Sequence, residues 1–238
     1  MRAAIGSEWT KLWTTRTIWW ALLAAFVLMA AAAGQNALYV TNGDIDASSA
    51  GDVAVLSVAI AQLAFVALAM LVMTGEYSAG TIRATLSWIP SRGRLLSAKI
   101  VVVAGVTLVA GVVAGLLGGV IAAGILDDSS DIAVSAVKIG IYLVLLGALA
   151  TGLGAALRGP VVTLVVLLMA IVVIPPLLQI PDISVLNGIA DAFPGVAGNH
   201  FLAGDSDPYP PAGGLLILMG WTLLAVLAGW RTMKRRDA

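Results

Sequence analysis

Six stretches of the chain run long and apolar, at about 17–39, 53–74, 100–126, 133–157, 161–178 and 213–230, and only the fourth holds a charged residue, Lys138. A helix needs roughly 20 mostly apolar residues to cross the hydrocarbon core of a bilayer. Each stretch therefore reads as a membrane span. The apolar runs are continuous and do not alternate with a period of two, which excludes an outer-membrane barrel. The fifth runs into Pro175-Pro176, where lost backbone donors predict that the helix stops. Composition agrees. Of 238 residues, 60% are hydrophobic and 11% charged, against roughly 25% charged in a soluble domain. That excludes an ordinary soluble enzyme and a disordered chain. The lack of cysteine argues against a disulfide-stapled domain, a zinc-thiolate site and a thiol enzyme. A formal net charge of zero gives no pull toward nucleic acid.

Charge placement predicts the orientation. Arg2, Lys11, Arg16, Arg83, Arg92, Arg94, Lys99, Arg158, Arg231, Lys234, Arg235 and Arg236 all fall on one alternating set of segments, 12 of the 13 cations. The other set carries Lys138 and 10 of the 13 acids, from Asp44 to Asp207. By the positive-inside rule both termini lie in the cytoplasm, and an odd number of spans would break the segregation. Arg2, Lys11 and Arg16 before an apolar run that ends near Ala31-Ala32-Ala33 resemble a signal peptide. The charged stretch is long for one, and an uncleaved chain is expected.

Three segments outside the spans carry information. Residues 1–16 predict a helix lying on the membrane, with Ile5, Trp9, Leu12, Trp13 and Arg16 on one face and Ser7, Glu8, Lys11, Thr14 and Thr15 on the other. Residues 75–99, GEYSAGTIRATLSWIPSRGRLLSAK, form a cytoplasmic segment longer than a simple connection requires. A helix is predicted from Glu76 to Ile89 and ended by Pro90. Ile82, Leu86 and Ile89 make its apolar stripe, and Glu76 and Arg83 lie two turns apart on another side. This helix either rests on lipid or docks a soluble partner. Residues 179–212 form the outer segment, with a short helix at Ile183–Ala192 ended by Pro194-Gly195. Phe193, Val196, Phe201 and Leu202 are too apolar for a fully wet loop. They suggest short helices dipping back toward the membrane edge.

Gly111, Gly115 and Gly119 are spaced by four, as are Ala148 and Gly152, which favours close helix contact within the chain. Membrane chemistry is sparse. Lys138 is the one ionisable candidate within the spans, and it is expected to snorkel or to pair with Asp131. Glu76 is the one acid near the cytoplasmic end of a span, with no second carboxylate expected nearby. His200 is a lone loop histidine. No GxxxxGK[ST] phosphate loop occurs, and no selectivity-filter-like run occurs. The polar and soft residues within the spans, including Gln62, Phe65, Met70, Met73, Thr163 and Met169, suit packing, or a path for a hydrophobic or amphipathic substrate.

Ser7–Trp20, SEWTKLWTTRTIWW, and above all Gly75–Lys99, with its GEY, GTIR-type centre and Pro–Arg-rich exit, resemble the ABC-2 type permeases, the membrane subunits of type V ABC exporters. The resemblance implies an all-α polytopic membrane protein. It has six transmembrane helices, an N-terminal interfacial elbow helix, a cytoplasmic coupling helix after span two and short outer helices before span six. Residues 1–238 would form one transmembrane domain in the cytoplasmic membrane. It implies a second permease subunit, in a homodimer or heterodimer, and two copies of an ATP-binding subunit. Those partners would use ATP and Mg, and the chain itself would bind no cofactor and hold no catalytic site. Membrane lipid is the remaining partner, and nucleic acid is not one. Glu76, Tyr77, Gly80, Thr81, Arg83 and Leu86 would form the ATPase-coupling region, flanked by Arg92 and Arg94. Span two and the start of span five would line the substrate path, with Gln62, Phe65, Met70, Met73, Thr163 and Met169 as its candidates. Ile183–Ala192 would act as an outer gate. The compact outer segment favours export of a drug-like molecule, a peptide antibiotic or a lipid over a polysaccharide. The alternative is a non-transporting scaffold or immunity protein that binds a partner through residues 75–99.

Overall fold

Continuous apolar sequence with few helix breakers leaves the backbone one way to satisfy its polar groups in lipid, and that is helix. A computed structural model describes residues 1–88 and 91–235, without the side chains of Arg83, Leu86 and Trp88. Its elements are α1 (Arg2–Thr14), α2 (Arg16–Asn42), α3 (Ala50–Ser78), α4 (Ile82–Trp88), α5 (Arg92–Leu126) and α6 (Ile132–Leu157). They are followed by α7 (Pro160–Leu168), a π-helical turn (Met169–Val173), α8 (Ile174–Gln179), α9 (Ser184–Asp191), α10 (Pro194–Ala203) and α11 (Pro211–Arg235). Among the described residues no strand occurs. Six helices are long and apolar enough to span a membrane: α2, α3, α5, α6, the run Pro160–Gln179, and α11.

The helix predicted from Glu76 to Ile89 is two helices instead. The second span continues through Glu76 and Tyr77 to Ser78. Gly80 then takes a left-handed backbone at φ +68°. The Thr81 amide donates to Glu76 O at 3.0 Å, and the Gly80 amide to Tyr77 O at 3.2 Å. This paired closure of a helix end needs a residue free of Cβ strain at Gly80. Glu76 and Arg83 therefore sit on different helices. The expected stop at Pro90 lies outside the described residues.

The third span starts earlier than its apolar run. α5 has 35 residues, about 52 Å at 1.5 Å per residue, well beyond the roughly 30 Å hydrocarbon core. Its first turns are held because Leu95 and Leu96 are buried with Met73, Ile82, Ala155 and Met233. The predicted stop at Pro175-Pro176 is also corrected. The Ile174 amide reaches back five residues to Met169 O. This π register places both prolines in the first turn of α8, where the missing amide donors cost nothing.

Small residues set the helix spacing. A Cβ on Gly115 would lie 2.7 Å from Ala136 Cα, and one on Gly119 would lie 2.6 Å from the Ile132 side chain. The glycine ladder of α5 thus packs against α6 within the chain. Gly152 of α6 meets the backbone of α11 at Ala225 and Val226, and Gly229 of α11 meets Gly152 O. In the outer segment Pro194-Gly195 opens α10 and does not end α9 as predicted. α10 dips into the bundle, where Gly198 lies against the Tyr142 ring and Leu202 joins the main core. Tyr142, fully buried, donates its hydroxyl to Gln62 Oε1.

At the acidic end the Ser49 hydroxyl accepts the Asp52 amide at 3.1 Å and caps α3. Asp128, from the turn before α6, accepts the Ala50 amide at 3.0 Å and the Ser130 hydroxyl. These bonds hold its carboxyl below the usual aspartate range. The contribution is present at neutral pH and is lost only as pH falls through that lowered value.

Candidate functional site

At the basic end, four charged side chains from three separate stretches of sequence converge. Lys99, on α5, is fully buried. Its ammonium donates to Glu8 Oε2 at 2.6 Å, Glu76 Oε1 at 2.7 Å and Val72 O at 3.1 Å. Lys11, on α1, donates to Glu8 Oε1 at 2.9 Å, Glu76 Oε1 at 3.0 Å and the Thr85 hydroxyl at 3.2 Å. Two carboxylates and two ammoniums balance. The arrangement joins α1, the end of α3, α4 and the start of α5.

Burial is graded across the cluster. The side chains of Lys99, Glu8, Glu76 and Lys11 are 1%, 2%, 13% and 45% exposed. Burial pulls the Lys11 ammonium down, but its bonds to Glu8 and Glu76 outweigh that and hold it above the ordinary lysine range. Taking charges from water costs several kcal/mol each unless they are paired and hydrogen-bonded. Here each buried charge has an opposite partner within 3 Å.

Two expectations are corrected by this geometry. Glu8 does not lie on the exposed face of α1, because the helix buries Ala4, Glu8 and Leu12. Glu76 is not without a second carboxylate, because both lysines bridge it to Glu8. Sequence reading placed Lys99 among the cations of the cytoplasmic segments. A signal for it was present. Only three acids fall on the basic segments, Glu8, Glu76 and Asp237, and two of them meet the lysine that closes on an apolar run.

The other coupling candidates divide around the end of α3. Thr81 lies beside Glu76 and donates its hydroxyl to Glu76 O at 3.4 Å. Tyr77 turns to the opposite side, half-buried, with the Arg158 guanidinium 5.2 Å from its ring centre. Arg158 donates to Thr232 O at 3.4 Å, so this side ties α3 and α6 to the end of α11. Gly80 lies in the turn before α4. Arg83 and Leu86 fall within α4, and their side chains lie outside the described set. Arg92 opens α5 and donates to Met233 O. Arg94 is exposed.

The path candidates do not form one surface in a single copy. Gln62, Phe65, Met70, Met73 and Thr163 are buried within the bundle. Gln62 is engaged by Tyr142, and the Thr163 hydroxyl donates to Gly159 O at 2.7 Å. Met169 is exposed at the start of the π turn.

Six apolar helices, locked at one end by paired buried charges, define a multi-pass α-helical membrane protein. Its sequence pattern narrows this class. The pattern of the ABC-2 family transporter proteins matches residues 4–181, from within α1 to just beyond the fifth span. The chain belongs to this family and is an ABC-2 type permease. No curated protein matches it.

Proposed function

We propose that this permease is the membrane subunit of an ATP-driven exporter, and that a separate ATP-binding subunit docks at α4. The observation that carries the reading is the charge cluster around Lys99. It ties the elbow helix, the second span and the third span to α4 through Thr85. A push on α4 therefore moves three elements as one piece. Coupling by an ATPase requires such a connection, because a partner can bias two states only through contacts that differ between them. The basic end would face the cytoplasm of an inner membrane, with both termini there.

Two permease copies, or this chain and a second permease, would pair and receive two ATP-binding subunits using ATP and Mg. The fifth span supports this. Only 22% of its most apolar window is buried, the lowest share of the six. Val161, Val162, Val165 and Met169 thus leave an apolar face for a second subunit. The substrate would pass between the subunits along the second and fifth spans. Few polar groups line them, which favours a hydrophobic or amphipathic cargo such as a drug-like molecule, peptide antibiotic or lipid.

Purification from the native host in mild detergent tests the assembly. The expected result is a P-loop ATPase in equal amount with permease. Arg94→Glu, at an exposed position, should lower that yield several-fold while leaving the thermal midpoint of the permease unchanged. Recovery of the chain alone across several detergents would overturn the proposal.

A further inference from the structure

α11 has two faces. Gly214, Leu218, Thr222, Ala225, Gly229 and Met233 recur every three or four residues and are buried against the bundle. The opposite stripe, Leu216, Leu223, Leu224 and Leu227, is exposed and reads as lipid-facing. That stripe does not end with the apolar run. At the same helical spacing it continues into Arg231, Lys234 and Arg235, which are exposed as well.

Depth follows from helix length. Counted from Pro211, roughly 20 residues at 1.5 Å each use up a roughly 30 Å hydrocarbon core. Trp230 then stands at its far edge, the level that tryptophan favours, and the three cations stand among the headgroups. A second element agrees. Arg158 lies in the short turn between α6 and α7, both of which belong to membrane spans. Its guanidinium donates to Thr232 O at 3.4 Å. A turn between two spans sits at the membrane surface, so Thr232 does too.

Charge then selects the neighbour. From residue 208 onward the sequence holds Arg231, Lys234, Arg235 and Arg236 against one acid, Asp237. Lys234 lies over the Trp230 ring, 3.9 Å from its centre, which keeps its ammonium at the edge of the hydrocarbon. Among the described residues no carboxylate pairs with Arg231, Lys234 or Arg235. A second copy docked by this face would bring like charges together. A soluble subunit approaches along the membrane normal, whereas these side chains leave α11 sideways, on the face turned from the bundle. The molecule at this depth and on this face is a phospholipid. An anionic headgroup gains from all three cations. A zwitterionic one carries its own ammonium, which they repel.

We infer that the outward face of α11 seats an anionic phospholipid, with its phosphate against Arg231, Lys234 and Arg235 and an acyl chain along Leu224 and Leu227. Guanidinium groups suit that phosphate because each offers paired N–H donors. The inference concerns the permease alone and does not depend on an ATPase partner.

Native mass spectrometry of the full chain in mild detergent tests it, with phosphatidylglycerol, phosphatidylcholine and phosphatidylethanolamine of identical acyl chains as probes. One cation near the headgroups is worth about fivefold in affinity for an anionic lipid. The expected result is retention of phosphatidylglycerol at least about tenfold tighter than of either zwitterionic lipid. Arg231→Gln combined with Arg235→Gln should bring the three lipids within about threefold of one another, at an unchanged thermal midpoint, because both positions are exposed. Arg2→Gln combined with Arg16→Gln removes the same net charge from exposed positions on α1 and α2 and should leave the preference intact. Equal retention of the three lipids by the parent, an unaltered preference in the Arg231 and Arg235 variant, or the same loss in the Arg2 and Arg16 variant would overturn the inference.

Discussion

Lys99→Met lowers the stability of the detergent-solubilised permease by about 3–5 kcal/mol, because it strands buried carboxylate charge. In the parent, Glu8 and Glu76 share two ammoniums. After the substitution both depend on Lys11, whose side chain is 45% exposed. The methionine also withdraws the donor to Val72 O. The loss should be readable as a fall in thermal midpoint and as lower yield of assembled complex. Adding Glu8→Gln restores a balanced pair, Lys11 with Glu76, and should recover more than half of the loss. That recovery separates an electrostatic cause from a packing defect, since a cavity would remain in both variants. A Lys99→Met protein as stable as the parent would mean that Lys99 is not a buried ion.

The second large effect concerns helix spacing. Gly152→Ala places a Cβ 2.7 Å from Val226 N and 2.8 Å from Ala225 C. These are backbone atoms of α11, so no side-chain rotation relieves the clash. α11 must move away from α6, and it would strain the bond from the Thr222 hydroxyl to Leu145 O at 3.1 Å. The expected cost is about 1–3 kcal/mol. Gly105→Ala is the matched control. Gly105 lies within α5, where a Cβ would meet nothing within 4 Å. There alanine should leave stability unchanged or raise it by up to about 1 kcal/mol through helix propensity. Thermal midpoints of the two variants measured side by side check the contrast. Equal midpoints would contradict the packing described.

The spans were legible because hydrophobic length is a property of one segment at a time. The same holds for the turn at Gly80 in hindsight, where a single glycine between two helical patterns marks a helix end. The sequence reading ran a helix through it because Ile82, Leu86 and Ile89 make one apolar stripe and Glu76 and Arg83 fit helical spacing on another side. Pro175-Pro176 misled for a related reason. A π turn upstream shifts the backbone register, and no residue type announces it. The charge cluster was hidden because the Glu8–Lys11 pair, Glu76 and Lys99 are far apart in sequence. Each alone looks like an ordinary solvated residue at a membrane boundary. Only the convergence of α1, α3 and α5 makes Lys99 a buried cation. Arg158 and Tyr77 met for the same reason.

The central claim is that α4 and the cluster behind it receive an ATP-binding subunit. The chain has no cysteine, so one introduced thiol reports one position. Ser87→Cys lies on α4 at an exposed site, and Ser130→Cys lies at the opposite, acidic end. Each variant, expressed in the native host and labelled in intact membranes with a thiol-attached photocrosslinker, captures whatever protein lies within reach. The account predicts a P-loop ATPase covalently joined to the Ser87→Cys permease and absent from the Ser130→Cys permease. Capture of the ATPase from Ser130→Cys, or none from Ser87→Cys while the two proteins still co-purify, would contradict it.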